Sequence, residues 1–322
     1  SGIYALETSI SGALRIFTGG ATVVSTTTLS TGQWYHIAVT IDSGVSNGTK
    51  FYIDGVQDAT TGTCTVTSSS SQNLRIGSNE ADHTAGYFGG HIDGVAIFNT
   101  NLDADSIRAI WNNGVPTNLK NNTGAYDEYT DNLVAYYRMG DGTLDSYSLI
   151  GDEVTPTLGS ELITNGDMEL DDNWNDQNSP NTNIQSSEQA NSGTYSRKFI
   201  SDGAGDGIKS DTFSVTAGVV YKVEASLYIV AGGGTGGFLF RLQDGNGSDV
   251  GGSYHEDTTG SWQKTTFYTR VSNSGSSSYL KVYQNGSGTT TAYVDDVSVK
   301  PVNGNAGIMT NMASDDIAED TP

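Results

Sequence analysis

Carboxylates and aromatic rings are the side chains with which this sequence could do chemistry. Its 322 residues hold 37 Asp and Glu against 15 Lys and Arg, a formal net charge of −22. Carboxylates in such number can gather on calcium, a hard cation that takes about six to eight oxygens. Their plainer use is solubility in a salty medium. Trp174, Tyr228, Phe240 and Tyr254 offer rings, with Arg241, Gln243 and Gln284 as polar partners. Rings that cover apolar faces, beside amides and guanidinium groups that bind hydroxyls, suit a saccharide. Nucleophile chemistry finds no such support. His36, His83, His91 and His255 are scattered without a zinc-like spacing. Gly245-Asn246-Gly247-Ser248-Asp249 lacks the closing glycine of a nucleophile elbow. The run Gly232–Gly237 precedes neither Lys-Ser/Thr nor a helix, so it is a strand connection and not a phosphate loop. The chain therefore reads as non-enzymatic.

Charge also limits the partners. Nucleic acid and anionic membranes attract basic patches, which so acidic a chain lacks. No apolar run approaches the ~20 residues that span a bilayer, so membrane insertion is not expected. A single cysteine, Cys64, excludes an internal disulfide framework and reads as a small buried thiol. Ser1 is not an initiator methionine, which suggests a processed or incomplete chain.

The elements that must position these groups are strands. The 41 glycines, with abundant Ser, Thr, Asn and Asp, fit many short strands joined by polar turns. Tyr35, Ile37, Val39 and Ile41 alternate with Trp34, His36, Ala38 and Thr40. Asn47-Gly48 and Asp54-Gly55 make turns around Lys50–Ile53. Asn73–Gly77 and His91–Phe98 read as further strands. A helix follows, capped by Asp103 and carrying Ile107, Ile110 and Trp111 before Asn113-Gly114 ends it. Asp54 and Asp93 each precede a glycine, which turn formation explains. Asn79 and Asp82 share a loop whose spacing demands no metal.

Residues 1–116 resemble the laminin-G-like (concanavalin-A-like) jelly roll. The matching runs are Leu29–Val39, Phe51–Gly55, Leu74–Gly77 and Gly90–Asn99 leading into the helix. The family begins with two or three more strands than precede Ile3, so either the start is missing or another segment or chain is expected to supply them. Glycanases of this fold carry Glu-x-Asp-x-x-Glu, which sets two carboxylates about 5 Å apart for retaining hydrolysis. No such run occurs here. The resemblance also implies packing positions for Trp34 and Trp262, both expected in cores.

Residues 117–160 read as a linker in which Leu133–Gly142 looks like the opening strand of another laminin-G-like module. Its continuation comes only at Asn303–Met312, so the tail 303–322 is expected to pair with 130–155. This pairing of opening and tail resembles segments of marine bacteriophage tail and appendage proteins. The intervening residues 161–302 resemble the jelly-roll carbohydrate-binding modules of families four and nine, within the galactose-binding-like fold. The runs that carry this are Glu161–Glu169 with Trp174, Ser192–Ser196, Tyr221–Val230, Gly260–Gln263 and Ala292–Val299. The resemblance implies a structural calcium where the first and last strands lie side by side, held by Glu169 and by Asp295 or Asp296. Backbone oxygens near Gly166 and Tyr195 would help.

Together these readings predict an all-β protein: two jelly-roll β-sandwich domains, one short helix and a small split linker element. The function expected is non-catalytic recognition of cell-surface or extracellular polysaccharide by Trp174, Tyr228, Phe240, Arg241, Tyr254 and Gln284. Its setting would be extracellular or on a virion surface, as part of a phage tail or fibre or a secreted adhesin. The partners expected are other virion or filament subunits or further copies of the chain. One alternative is a decoration or cement subunit without a sugar ligand, and another is the non-catalytic portion of a secreted glycanase.

Overall fold

The computed structural model describes residues 4–18, 20–66, 74–78, 86–127, 129–142, 144–145, 149–155, 157–230, 237–255 and 260–309. They fall into two units that divide between Gly142 and Thr143. Both are built of antiparallel strands.

In the first unit β1 (Tyr4–Thr8), β2 (Ala13–Thr18) and β3 (Ala21–Thr28) form one sheet. A second comprises β4 (Ile37–Ile41), β5 (Thr49–Ile53) and β6 (Val56–Gly62). Leu14, Ile16, Val23, Phe51 and Cys64 form the core, with Val39, Ile41 and Ile53 packed against it. Asp58 of β6 links the two sheets, accepting the backbone N–H groups of Thr26 and Thr27 of β3 at 2.9 and 2.8 Å. Burial opposes the charge of Asp58, but these N–H groups and that of Thr60 outweigh it and hold the carboxyl at about 2. The turn joining β5 to β6 places Asp54 and Gly55 at φ of 50° and 72°, the paired left-handed conformation of a two-residue hairpin.

Then follow β7 (Val95–Phe98) and α1 (Ala104–Trp111). Asp103 caps the helix by accepting the N–H of Ser106 at 2.7 Å, and Asn112 ends it in the left-handed region. Gly55 lies under Trp111, so that a β-carbon there would stand 2.8 Å from the ring. A single helical turn, α2 (Tyr129–Asn132), leads into β8 (Leu133–Tyr137), which pairs with β7 in register Val95↔Tyr137. The strand read as opening a further module thus closes a ladder of the first unit. Its Leu133, Ala135, Tyr136 and Tyr137 are buried.

Two other expectations differ. Leu74–Gly77 make no strand, only an adjoining bridge between Ser78 and Tyr87, and Asn73 lies outside the described residues. Trp34 precedes β4 rather than joining it. It is 44% exposed and tilted against His91 at 6.2 Å, so it is not core.

The second unit begins with β9 (Leu149–Ile150), β10 (Trp174–Gln177), β11 (Thr182–Ser186), β12 (Ser196–Ser201), β13 (Gly207–Ser210) and β14 (Phe213–Val215). It continues through β15 (Val220–Ile229), β16 (Phe238–Gln243), β17 (Asp249–His255) and β18 (Trp262–Arg270). It ends with β19 (Gly275–Ser278), β20 (Leu280–Gln284), β21 (Thr290–Val302) and β22 (Gly307–Ile308). Two five-stranded sheets, β11-β12-β21-β15-β18 and β10-β13-β20-β16-β17, enclose the larger core. Alternation decides what enters it. Phe238, Phe240 and Leu242 of β16, Val223, Ala225 and Leu227 of β15, and Leu280 and Val282 of β20 are all buried. Each fully buried Leu, Val or Phe contributes about 1.5–3 kcal/mol. The short pair β9 and β22 joins Leu149–Ile150 to Gly307–Ile308, and its cluster Leu149, Val302 and Ala306 packs on Val220. Residues 310–322 of the expected tail lie outside the described residues.

Candidate functional site

The three carboxylates assigned to calcium do come to one loop, but as its hydrogen-bond acceptors. Glu169 Oε1 accepts the N–H groups of Thr194 and Tyr195 at 2.7 and 2.9 Å. Asp295 Oδ2 accepts those of Asn191 and Ser192 at 2.8 and 3.2 Å. Asp296, in the left-handed region where β21 bulges, accepts from Asn191 Nδ2 at 2.6 Å and from Ser192 Oγ. Among the described residues no three His, Cys, Asp or Glu gather in a way that could hold a metal ion. All three carboxylates are taken by N–H or O–H donors of that loop. The N–H groups of Asn191, Ser192, Thr194 and Tyr195 tie this loop to Glu169 and Asp295. Burial raises the fully buried Asp295 carboxyl to about 6, against the pull of those N–H donors and with help from the charge of Asp296. The loop holding Asn79 and Asp82 lies outside the described residues.

The six residues assigned to a ligand are divided among three places. Trp174, Phe240 and Gln284 point inward. Trp174 is 4% exposed and donates its indole N–H to the Asn165 carbonyl, while Phe240 is fully buried. Gln284 is 1% exposed and its amide donates to the carbonyls of Ser287 and Gly288, fixing a turn. None of the three offers a surface to a ligand, because strand alternation places each on the core side. Tyr228 stands on the outer face of β11-β12-β21-β15-β18. There it lies 5.7 Å from Trp262, which is half-buried rather than core, and 6.1 Å from Tyr293. This face is covered in places. Tyr293 donates to Glu188 from the loop above, and Val220 lies under the β9–β22 element.

Arg241 belongs to the outer face of β10-β13-β20-β16-β17, and Tyr254 of β17 pairs in register with Leu239. Cross-strand register assembles one row there from Asn175, Lys209, Lys281, Arg241 and Gly252. The next row runs Gln177, Gly207, Tyr283, Leu239, Tyr254. Lys281 Nζ stands 5.2 Å from the Tyr283 ring centre and 2.9 Å from Asp249. Lys209 Nζ lies 5.4 Å from the ring centre of Tyr279. Asn175, Lys209, Asp211 and Tyr279 line a shallow depression of about 380 Å³. The face thus sets half-exposed rings beside amide, ammonium and guanidinium donors. Residue-type reasoning missed Lys209, Tyr279, Lys281 and Tyr283. The alternation Leu280-Lys281-Val282-Tyr283 carries the signal that could have found the last two.

Residues 1–108 match the laminin-G family described as the concanavalin A-like lectin/glucanases superfamily. No curated protein matches the chain. Among solved structures, the arabinose-bound MgGH51 α-L-arabinofuranosidase is 17% identical with a TM-score of 0.39, over 45% of this chain and 27% of that one. The CBM22-1 xylan-binding domain from Paenibacillus barcinonensis Xyn10C is 19% identical with a TM-score of 0.36, over 46% of this chain and 96% of that domain. The family 16 carbohydrate binding module-2 is 22% identical with a TM-score of 0.34, over 43% and 98%. Each of these likenesses covers less than half of this chain, and the first spans little more than a quarter of the arabinofuranosidase.

Proposed function

We propose that the chain is a non-catalytic glycan-binding protein, and that its second unit takes a polysaccharide on the outer face of β10-β13-β20-β16-β17. One observation carries this reading: Tyr279 and Tyr283 share that face with Asn175, Lys281 and Arg241. Rings give a flat apolar platform, and the donors around them bind hydroxyl oxygens. Such contacts are weak one by one and gain strength when many copies act together. The setting we propose is extracellular, on a phage tail or fibre. It rests on the resemblance of Leu133–Gly142 and Asn303–Met312 to such proteins.

Affinity electrophoresis of the whole chain through gels containing soluble polysaccharides tests the reading. Retardation by at least one polysaccharide, abolished by Tyr283→Ala without loss of fold, supports it. Equal mobility of both proteins in every gel would contradict it.

One observation favours the structural-subunit alternative. Tyr4 and Leu6 of β1 are 44% and 42% exposed, although Leu6 stands opposite the buried Ile16. A strand-lending neighbour would cover them. Sedimentation of the purified chain distinguishes the two, because a subunit of this kind self-associates through β1 and Leu6→Lys would keep it monomeric.

A further inference from the structure

We infer that the saccharide is anionic, bearing carboxylate or sulfate groups that meet a row of three cations across β13, β20 and β16. This rests on the glycan-binding reading and specifies its ligand class. Lys209, Lys281 and Arg241 are direct cross-strand neighbours. Like charges so placed repel and weaken a sheet. They persist in a chain of net charge −22, where carboxylates are plentiful.

Elsewhere in the second unit each cation is answered. Lys222 and Lys264 share Glu224 at 3.0 Å, and Lys198 meets Glu188 at 2.6 Å. Arg197 and Lys300 meet Asp171 and Glu161, and Arg270 donates to two backbone carbonyls. Within the row, Asp249 answers Lys281 alone. Asp211 at the margin is taken by the amides of Asn173 and Asn175 at 2.9 and 2.7 Å. Among the described residues Lys209 and Arg241 have neither a carboxylate nor a hydrogen-bond acceptor.

Arg241 also lies over Gly252, where a β-carbon would meet the Phe240 carbonyl, Arg241 Cδ at 2.6 Å and Nη1 at 3.0 Å. A guanidinium fork presents paired donors to a carboxylate or sulfate. Strands lie about 4.8 Å apart, so the three cations reach about 10 Å along a ligand crossing them. Tyr279 and Tyr283, which already face the lysines, would carry the sugar rings between the charges.

Calorimetry on the whole chain tests this with three probes: oligogalacturonate for carboxylate, carrageenan oligosaccharide for sulfate, and xylohexaose for a neutral chain. One acidic probe should bind about tenfold or more tighter than xylohexaose, and its affinity should fall steeply with salt. Arg241→Gln and Lys209→Gln should each weaken that probe about tenfold at an unchanged melting temperature. Which acidic probe wins identifies the anion. Xylohexaose bound as tightly as both acidic probes, with Arg241→Gln without effect, would overturn the anionic class and leave glycan binding standing. A folded chain that binds none of the three, nor any polysaccharide by electrophoresis, would overturn both.

Discussion

Arg241 and Gly252 face each other across β16 and β17, and the arginine side chain lies over Gly252, where a β-carbon would meet both it and the Phe240 carbonyl. Phe240, the residue before Arg241, points the opposite way into the core. Neighbours in sequence thus serve different ends, which separates two kinds of substitution. Phe240→Ala should destabilise the chain by about 3–5 kcal/mol, measured by urea unfolding. Tyr283→Ala, on the outer face, should leave stability within about 1 kcal/mol and remove most saccharide binding.

Asp58 clamps the two sheets of the first unit. Asp58→Ala leaves the N–H groups of Thr26, Thr27 and Thr60 without their acceptor. A loss of about 2 kcal/mol or more is expected, read from the unfolding midpoint. The carboxyl's folded value of about 2 lies below its ordinary 3.8. Its stabilisation is therefore complete above pH 3.8 and disappears as pH falls toward 2. The variant should show a shallower loss of melting temperature across that interval.

Gly193 has φ of 59°, and a β-carbon there would meet Glu169 Oε1, the atom that holds the N–H groups of Thr194 and Tyr195. Gly193→Ala should cost about 1–2 kcal/mol from the left-handed backbone alone, with more from the displaced carboxylate. Faster amide exchange at Thr194 and Tyr195 would show the loop's release.

The Asp295 carboxyl, raised by burial to about 6, provides a direct test of calcium. Because this value exceeds the ordinary 3.8, the group destabilises the fold as pH rises from 3.8 to 6 and changes nothing further above. Carbon-13 NMR should find it titrating near 6 with or without added calcium, and a chelator should leave the melting temperature unchanged. A value driven below 4 by calcium would place the ion there.

Much of the fold was legible because alternation and turn chemistry are local. Asp54-Gly55 announced its hairpin, and Asp103 with Ile107 announced the helix. Leu133–Tyr137 was legible as a strand but not as the partner of β7, since register between distant strands leaves no local mark. The site was read less well. Trp174 and Phe240 have the side chains of a sugar platform, but burial depends on which face of the sheet alternation gives them. Lys209, Lys281 and Arg241 lie 32 to 72 residues apart, and only the sheet order makes them a row.

Hydroxyl-radical footprinting of the whole chain, with and without a bound oligosaccharide, tests the assigned face most directly. Both sheets carry oxidisable rings on their outer sides. Protection of Tyr279 and Tyr283, with Tyr228 and Trp262 unchanged, is the predicted result. Protection confined to Tyr228 and Trp262 would contradict it and move the saccharide to the other sheet.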